Sequence, residues 1–252
     1  MRILRNYSSY CLFISLVLLV SCSKDDENPS VATLNSTISS NDFLSEQKYN
    51  ALTIEIKYVE GFAPSATSLD NLKSFLQARL NKSSGIIFTQ SSVTSPGKAT
   101  LTFTDIQNLE KTNRSLTIKD KSLVAYIYFA DGEFSENTDT TKVLGAAYGN
   151  SSIVIFEKNI KALSGGFGKP SVTVLESIVM DHEFGHILGL VNDGTSMQTP
   201  HQDTANGKHC TNTNCLMNYK TESSRMIANL SGGTIPPLDA NCIADLKANG
   251  GK

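Results

Sequence analysis

Two histidines one helical turn apart with a glutamate directly after the first, His182-Glu183-Phe184-Gly185-His186, are the residues of this chain best suited to chemistry. At a four-residue spacing both imidazoles leave the same face of a helix and can bind one divalent ion, which for zinc means nitrogens at about 2.0–2.1 Å. Glu183 follows the first ligand, the position from which a carboxylate can take a proton from metal-activated water and pass it to a departing amine. The other candidates stand close by. All four histidines of the 252-residue chain (His182, His186, His201 and His209) fall in one window of 28 residues, and Cys210 and Cys215 come immediately after it.

These side chains need a helix to hold them. Thr173-x-x-Glu176 can form a capping box, and Val174, Leu175, Ile178, Val179, Met180, Phe184, Ile187, Leu188 and Leu190 run nearly all round the helix it would open. A helix apolar on every side must be buried, yet burying Asp181, His182, Glu183 and His186 costs several kcal/mol each unless something compensates. A bound metal would compensate. Gly189, three residues after His186, allows a sharp bend that can return a later ligand to the ion.

Upstream, Leu52, Ile54, Ile56 and Tyr58 alternate with other residues as a half-buried strand over Ala51 to Val59 requires. A helix is expected next, capped by Ser68 and running to about Lys82. Further strands are expected at Gly85 to Thr89, Leu101 to Phe103, Leu123 to Phe129, Val143 to Tyr148 and Ser152 to Phe156, and a C-terminal helix at Leu238 to Ala248. Strands with one early helix and one long later helix predict an α/β (α+β) domain with a mixed sheet. Gly165-Gly166-Phe167-Gly168-Lys169 fails as a phosphate loop, because Pro170 stands where Ser or Thr must follow the lysine.

Composition narrows the class. With 22 basic against 24 acidic residues and no Lys/Arg cluster, the chain is not a nucleic-acid binder by charge. Arg2 and Arg5 precede the apolar run Cys11 to Val20, too short for a permanent span and of signal-peptide length. Leu19-Val20-Ser21-Cys22 resembles a bacterial lipoprotein box, which implies cleavage before Cys22, acylation of Cys22 and membrane attachment through that lipid alone. The acidic Ser23 to Glu27 stretch beyond it is similar to signals for outer-membrane, cell-surface lipoproteins. Removing residues 1–21 leaves 20 basic against 24 acidic residues, a charge of −4. Residues 22–45, rich in Ser, Asn, Asp and Thr, read as a flexible tether, and 46–252 as one domain.

The extended motif His182-Glu183-Phe184-Gly185-His186-Ile187-Leu188-Gly189 resembles the metzincin zinc peptidases. The run from His209 through Cys210 and Cys215 to Met217 is similar to their archaemetzincin branch. The resemblance implies a mixed, mostly parallel twisted sheet, a buried active-site helix and one catalytic zinc in an endopeptidase acting on protein or peptide. Asn192 occupies the usual third-ligand position, so His209 is favoured after a 17-residue insertion, Asn192 to Lys208, with His201 and Asp193 as competitors. It also implies a Met-turn at Met217, a Tyr219 able to stabilise an oxyanion, and substrate pairing along the Val143 to Tyr148 edge. Archaemetzincins hold a second zinc with a later Cys-x-x-Cys pair, which this chain lacks. Cysteine count in an exported protein predicts one disulfide among Cys210, Cys215 and Cys242, most simply Cys210–Cys215. Two further readings fit the motif: a lipoprotein adhesin or binding module with a structural zinc, and a zinc amidase acting on a non-protein substrate. A monomer is expected.

Overall fold

The computed structural model describes residues 38–224 and 233–252; the signal segment and Cys22 lie outside the described residues. The elements in chain order are α1 (Ser40–Leu44), β1 (Ala51–Val59), α2 (Ala66–Gln77), β2 (Ile86–Val93), β3 (Thr100–Leu101) and α3 (Phe103–Asn113). They are followed by β4 (Ser122–Phe129), β5 (Glu133–Phe134), β6 (Gly145–Tyr148), β7 (Ser152–Ile155), α4 (Glu157–Leu163), α5 (Val172–Ile187) and α6 (Ala240–Ala248). A five-stranded sheet runs in the order β2-β1-β4-β7-β6. Its first four strands are mutually parallel, and β6 lies antiparallel on β7 at the edge. The mixed, mostly parallel sheet with a buried helix matches the expected fold class.

Strands β4 and β7 are apolar on both faces, as a sheet covered on both sides requires, whereas β1 carries Thr53, Glu55 and Lys57 on its second face. Leu52, Ile54, Ile56, Leu123, Ala125, Ile127, Ile153 and Ile155 face the larger core, shared with α2 and α5. Val59, Tyr126, Tyr128 and Val154 form a smaller core with Ile106 of α3 and Phe134 of β5.

Helix boundaries differ from the sequence expectation where a nearer cap wins. Ser65, not Ser68, caps α2, its side chain accepting from the Ser68 N–H at 3.2 Å. Ser171, not Thr173, caps α5 in the same way through the Val174 N–H. Glu176 does not close a capping box; its Oε2 accepts from the Ser65 N–H at 3.0 Å and ties α5 to the start of α2. The strand expected at Leu101 to Phe103 is only the short β3, because Thr102 and Asp105 form a capping box that starts α3 at Phe103. The tether reading also shortens. Ser39 and Asp42 form a capping box for α1, and Phe43 and Leu44 are fully buried in the larger core.

Helix α5 is buried round its circumference, as its sequence requires. On the side away from the histidines, Ser177 Oγ accepts from Asn71 of α2 at 3.0 Å. Burial pushes the Asp181 carboxyl up to about 8 against the pull of Arg79.

Candidate metal centre and its cleft

Helix α5 presents His182, Glu183 and His186 in its last two turns and then stops at a C-terminal glycine cap. The Gly189 N–H donates to His186 O at 2.9 Å and the Leu190 N–H to Gly185 O at 3.0 Å, the paired bonds of a Schellman motif. Gly189 has φ +76°, and a Cβ there would stand 2.6 Å from Thr195 N and 2.5 Å from Ser40 Oγ, so only glycine fits the bend. Helix α1 thus braces this bend. Val191 and Asn192 continue it with φ +55° and +65°, conformations that cost non-glycine residues of order 1–3 kcal/mol each. They turn the chain into the insertion at Asp193, whose N–H donates to Gly189 O at 3.1 Å.

The insertion returns His209 to the helix. The ligand nitrogens of His182, His186 and His209 lie within 4.8 Å of one another, and the His182 and His186 Nε2 atoms are 3.2 Å apart. Two nitrogens at about 2.05 Å from one tetrahedral zinc stand roughly 3.3 Å apart, so the pair fits the ion. Backbone carbonyls fix the ring orientations. His182 Nδ1 donates to Leu216 O at 2.7 Å and His209 Nδ1 to Asn206 O at 2.5 Å, which leaves Nε2 as the lone-pair nitrogen of each. Burial, with His209 nearby, pushes His186 down to about 3, so its ring is neutral, the form that ligates. Among the three weighed candidates, His209 is the one brought to His182 and His186. Asp193 lines the cleft wall instead, and His201 lies in a different cluster.

Beside the imidazoles runs a cleft of about 300 Å³, walled by Ala146 and Ala147 of β6, by Glu183, and by Asp193, Gly207 and Lys208 of the insertion. Glu183 Oε2 accepts from the Ala147 N–H at 2.7 Å, a contact the sequence offered no sign of. Gly145 permits it: a Cβ there would stand 2.5 Å from Val179 Cγ1 and 3.1 Å from Glu183 Cγ.

Met217 is fully buried against α5, and its Sδ would stand 2.2 Å from a Cβ added at Gly185. The glycine in the motif is therefore what lets the thioether approach α5. Tyr219 begins a 3₁₀ turn, Tyr219–Glu222, and is not among the residues lining the cleft.

The cysteines depart from the expected pairing. Cys210, Cys215 and Cys242 are all buried thiols, and Cys215 Sγ lies 3.7 Å from Cys242 Sγ. A second group forms around them: the ligand atoms of His201, Cys210, Asp239 and Cys242 lie within 4.8 Å of one another. Asp239 and Cys242 belong to the start of α6. The sequence held a signal for them in Asp239-x-x-Cys242, which has the spacing of the absent Cys-x-x-Cys pair.

No protein-family model matches the chain, and no curated protein matches it. Among solved structures it is similar to the archaemetzincin of Methanopyrus kandleri, at 14% identity and a TM-score of 0.49, over 79% of this chain and 96% of that one. It is similar to a zinc-dependent peptidase from Methanocorpusculum labreanum, at 14% identity and a TM-score of 0.45, over 77% of this chain and 99% of that one. It is also similar to metalloproteinase-II from Bacteroides fragilis, at 15% identity and a TM-score of 0.45, over 80% of this chain and 54% of the other.

Proposed function

We propose that this protein is a zinc-dependent peptidase of metzincin type that hydrolyses peptide bonds within a chain, with one catalytic ion held by His182, His186 and His209. The observation that carries the reading is the convergence of three imidazoles on one point, two of them lining a cleft, with a carboxylate on the adjoining wall. Three protein ligands beside open space is the arrangement of a catalytic rather than a closed structural site. When bound there, zinc supplies Lewis acidity, acidifying water and polarising a carbonyl.

The chain's own residues do the rest. Glu183 accepts the proton that water loses as its oxygen adds to the scissile carbon, and returns it to the amine nitrogen as the C–N bond breaks. The Ala147 N–H holds one oxygen of that carboxylate in place. The outer edge of β6 can receive an extended peptide as an added antiparallel strand, which brings the scissile bond over the histidines. Tyr219, two residues after Met217, is proposed as the oxyanion donor, on the resemblance alone. A binding module that keeps a metal for structure has no use for Glu183 or for the cleft.

The test is cleavage of a peptide library by the purified protein with and without a chelator, and by Glu183→Ala. Hydrolysis that survives chelation, or that survives loss of the carboxylate unchanged, overturns the reading. Export and lipidation at Cys22 belong to the same proposal, supported by the basic, apolar and Leu-Val-Ser-Cys segments of residues 1–22. Incorporation of labelled fatty acid into the wild-type chain and its loss in Cys22→Ser is the corresponding measurement.

A further inference from the structure

The cleft beside His186 and His209 continues into a second hollow of about 270 Å³, which shares Gly149, His186, Ile187 and Asp193 with it and extends to Ser40 and Asn150. Its walls are tied down. Asn150 Nδ2 donates to Ile38 O at 2.8 Å, which holds the β6–β7 turn against the entry to α1. On the side of the insertion, the Asp193 and Thr195 N–H groups both donate to Gly189 O, at 3.1 and 2.9 Å. Strand direction decides which part of a substrate meets this hollow. Strand β6 runs from Gly145 to Tyr148, and Gly149 follows its C-terminal end. A peptide added antiparallel to β6 runs the other way, so residues before its scissile bond lie toward Gly149 and those after it toward Gly145. With that bond beside Ala147, whose N–H meets the Glu183 carboxylate, a rise of about 3.4 Å per residue brings the first few residues before the bond to the second hollow.

Charge decides which side chain suits it. Among the described residues lining the second hollow, Asp193 carries a carboxylate and none carries an ammonium or guanidinium group. Lys208 stands 4.0 Å from Asp193 Oδ1, both side chains are nearly half exposed, and the ammonium donates to Asn192 O at 2.6 Å. An exposed pair at that length contributes little, which leaves the carboxylate available to a cation brought by a ligand. Asn150, with its Nδ2 engaged by Ile38 O, keeps Oδ1 as a further acceptor for a many-donor cation.

We propose that Asp193 is a specificity-determining residue that binds a lysine or arginine side chain one to three residues before the scissile bond. The inference rests on the peptidase reading above and adds the substrate class, a peptide carrying a basic residue on the amino-terminal side of the cut. It also gives the insertion a second task, since the segment that returns His209 to α5 begins with the residues that place Asp193.

The experiment compares peptides that differ only in Lys, Gln or Glu at each of the three positions before the scissile bond. Preference is read as a ratio of kcat/KM on one enzyme, so that any general loss of activity cancels. Wild type is expected to favour Lys over Gln about 5–10-fold at one of these positions, between the value of an exposed ion pair and that of a charge-assisted hydrogen bond. Asp193→Asn is expected to remove the preference, Asp193→Lys to turn it toward Glu, and rising salt to shrink it in wild type. Binding of the uncut Lys and Gln peptides to Glu183→Ala, measured by calorimetry, is expected to show the same ratio in Kd. Should the Asp193 variants fail to fold, Lys208→Gln, which removes the competing ammonium, is expected to raise the preference. A wild type indifferent to charge at these positions, a wild type that prefers Glu, or an Asp193→Asn that keeps the preference overturns the proposal. Absence of any hydrolysis would overturn the peptidase reading and this inference with it, whereas hydrolysis without a basic preference removes this inference alone.

Discussion

The two ligand clusters flank one short segment, residues 209–217, and differ in their surroundings. His182, His186 and His209 bring three nitrogens together, with His186 and His209 lining a cleft and His182 fully buried, whereas His201, Cys210, Asp239 and Cys242 are a mixed nitrogen, sulfur and oxygen set at the start of α6. The first has room for a reactant and a carboxylate beside it. The second has its histidine buttressed by a buried aspartate and its thiols buried. Ligands beside open space are what a site for turnover needs, and buried donors packed by other side chains leave no such space.

The largest effect that would sharpen this contrast is on catalysis. Glu183→Ala is expected to lower peptide hydrolysis by about 10²–10⁴-fold while zinc content stays at the wild-type value, measured by turnover of a peptide and by metal analysis. Loss of metal together with activity would make Glu183 a ligand and break the division of roles. Next comes a chelator titration. Activity is expected to disappear as chelator is added and to return with added zinc, measured by turnover of a peptide. Hydrolysis that persists in excess chelator would break the reading of His182, His186 and His209 as a catalytic centre.

Smaller effects test the packing beneath the first cluster. Gly185→Ala sets a methyl group 2.2 Å from Met217 Sδ, and overpacking of this kind costs about 1–3 kcal/mol. In a chain of this size that is a fall in Tm of about 2–4 °C per kcal/mol, read by thermal unfolding, with a drop in kcat as α5 shifts. An unchanged Tm would show that the thioether is not confined there.

The smallest effect is one of pH, on the buried carboxyl pair Glu157 and Glu176. Burial and the neighbouring Glu176 push Glu157 up to about 9 from its ordinary 4.5. Between those values the folded chain holds a proton that the unfolded chain releases, so stability falls as pH rises through that window. Glu157→Gln removes the titrating group. Its Tm is expected to fall by several degrees less than that of wild type between pH 5 and 9, and parallel curves would contradict this account.

Much of this molecule is legible in local pattern. Alternation along Ala51 to Val59 and the near-continuous apolar runs of β4 and β7 describe strands of a covered sheet, and the all-round apolar surface of α5 marks a buried helix. Caps were less legible, because Ser65 and Ser68, or Ser171 and Thr173, are chemically equivalent and packing chooses between them. Helix α3 was hidden for a related reason: Leu101 and Phe103 satisfy a strand pattern until Thr102 and Asp105 cap each other.

The sequence by itself determined which residue types stand one turn apart on one helix, since a four-residue spacing in a helix is fixed by backbone geometry. It determined as well that Gly189 would end that helix, since φ +76° is a conformation that glycine adopts without strain. Tertiary structure alone decided which of His209, His201 and Asp193 joins His182 and His186, and it gathered His201, Cys210, Asp239 and Cys242 from across 42 positions of chain. The reason is physical. An insertion of 17 residues can close in many ways at similar entropic cost, and what selects one closure is the set of buried bonds its residues make at a distance, none of which a local pattern encodes.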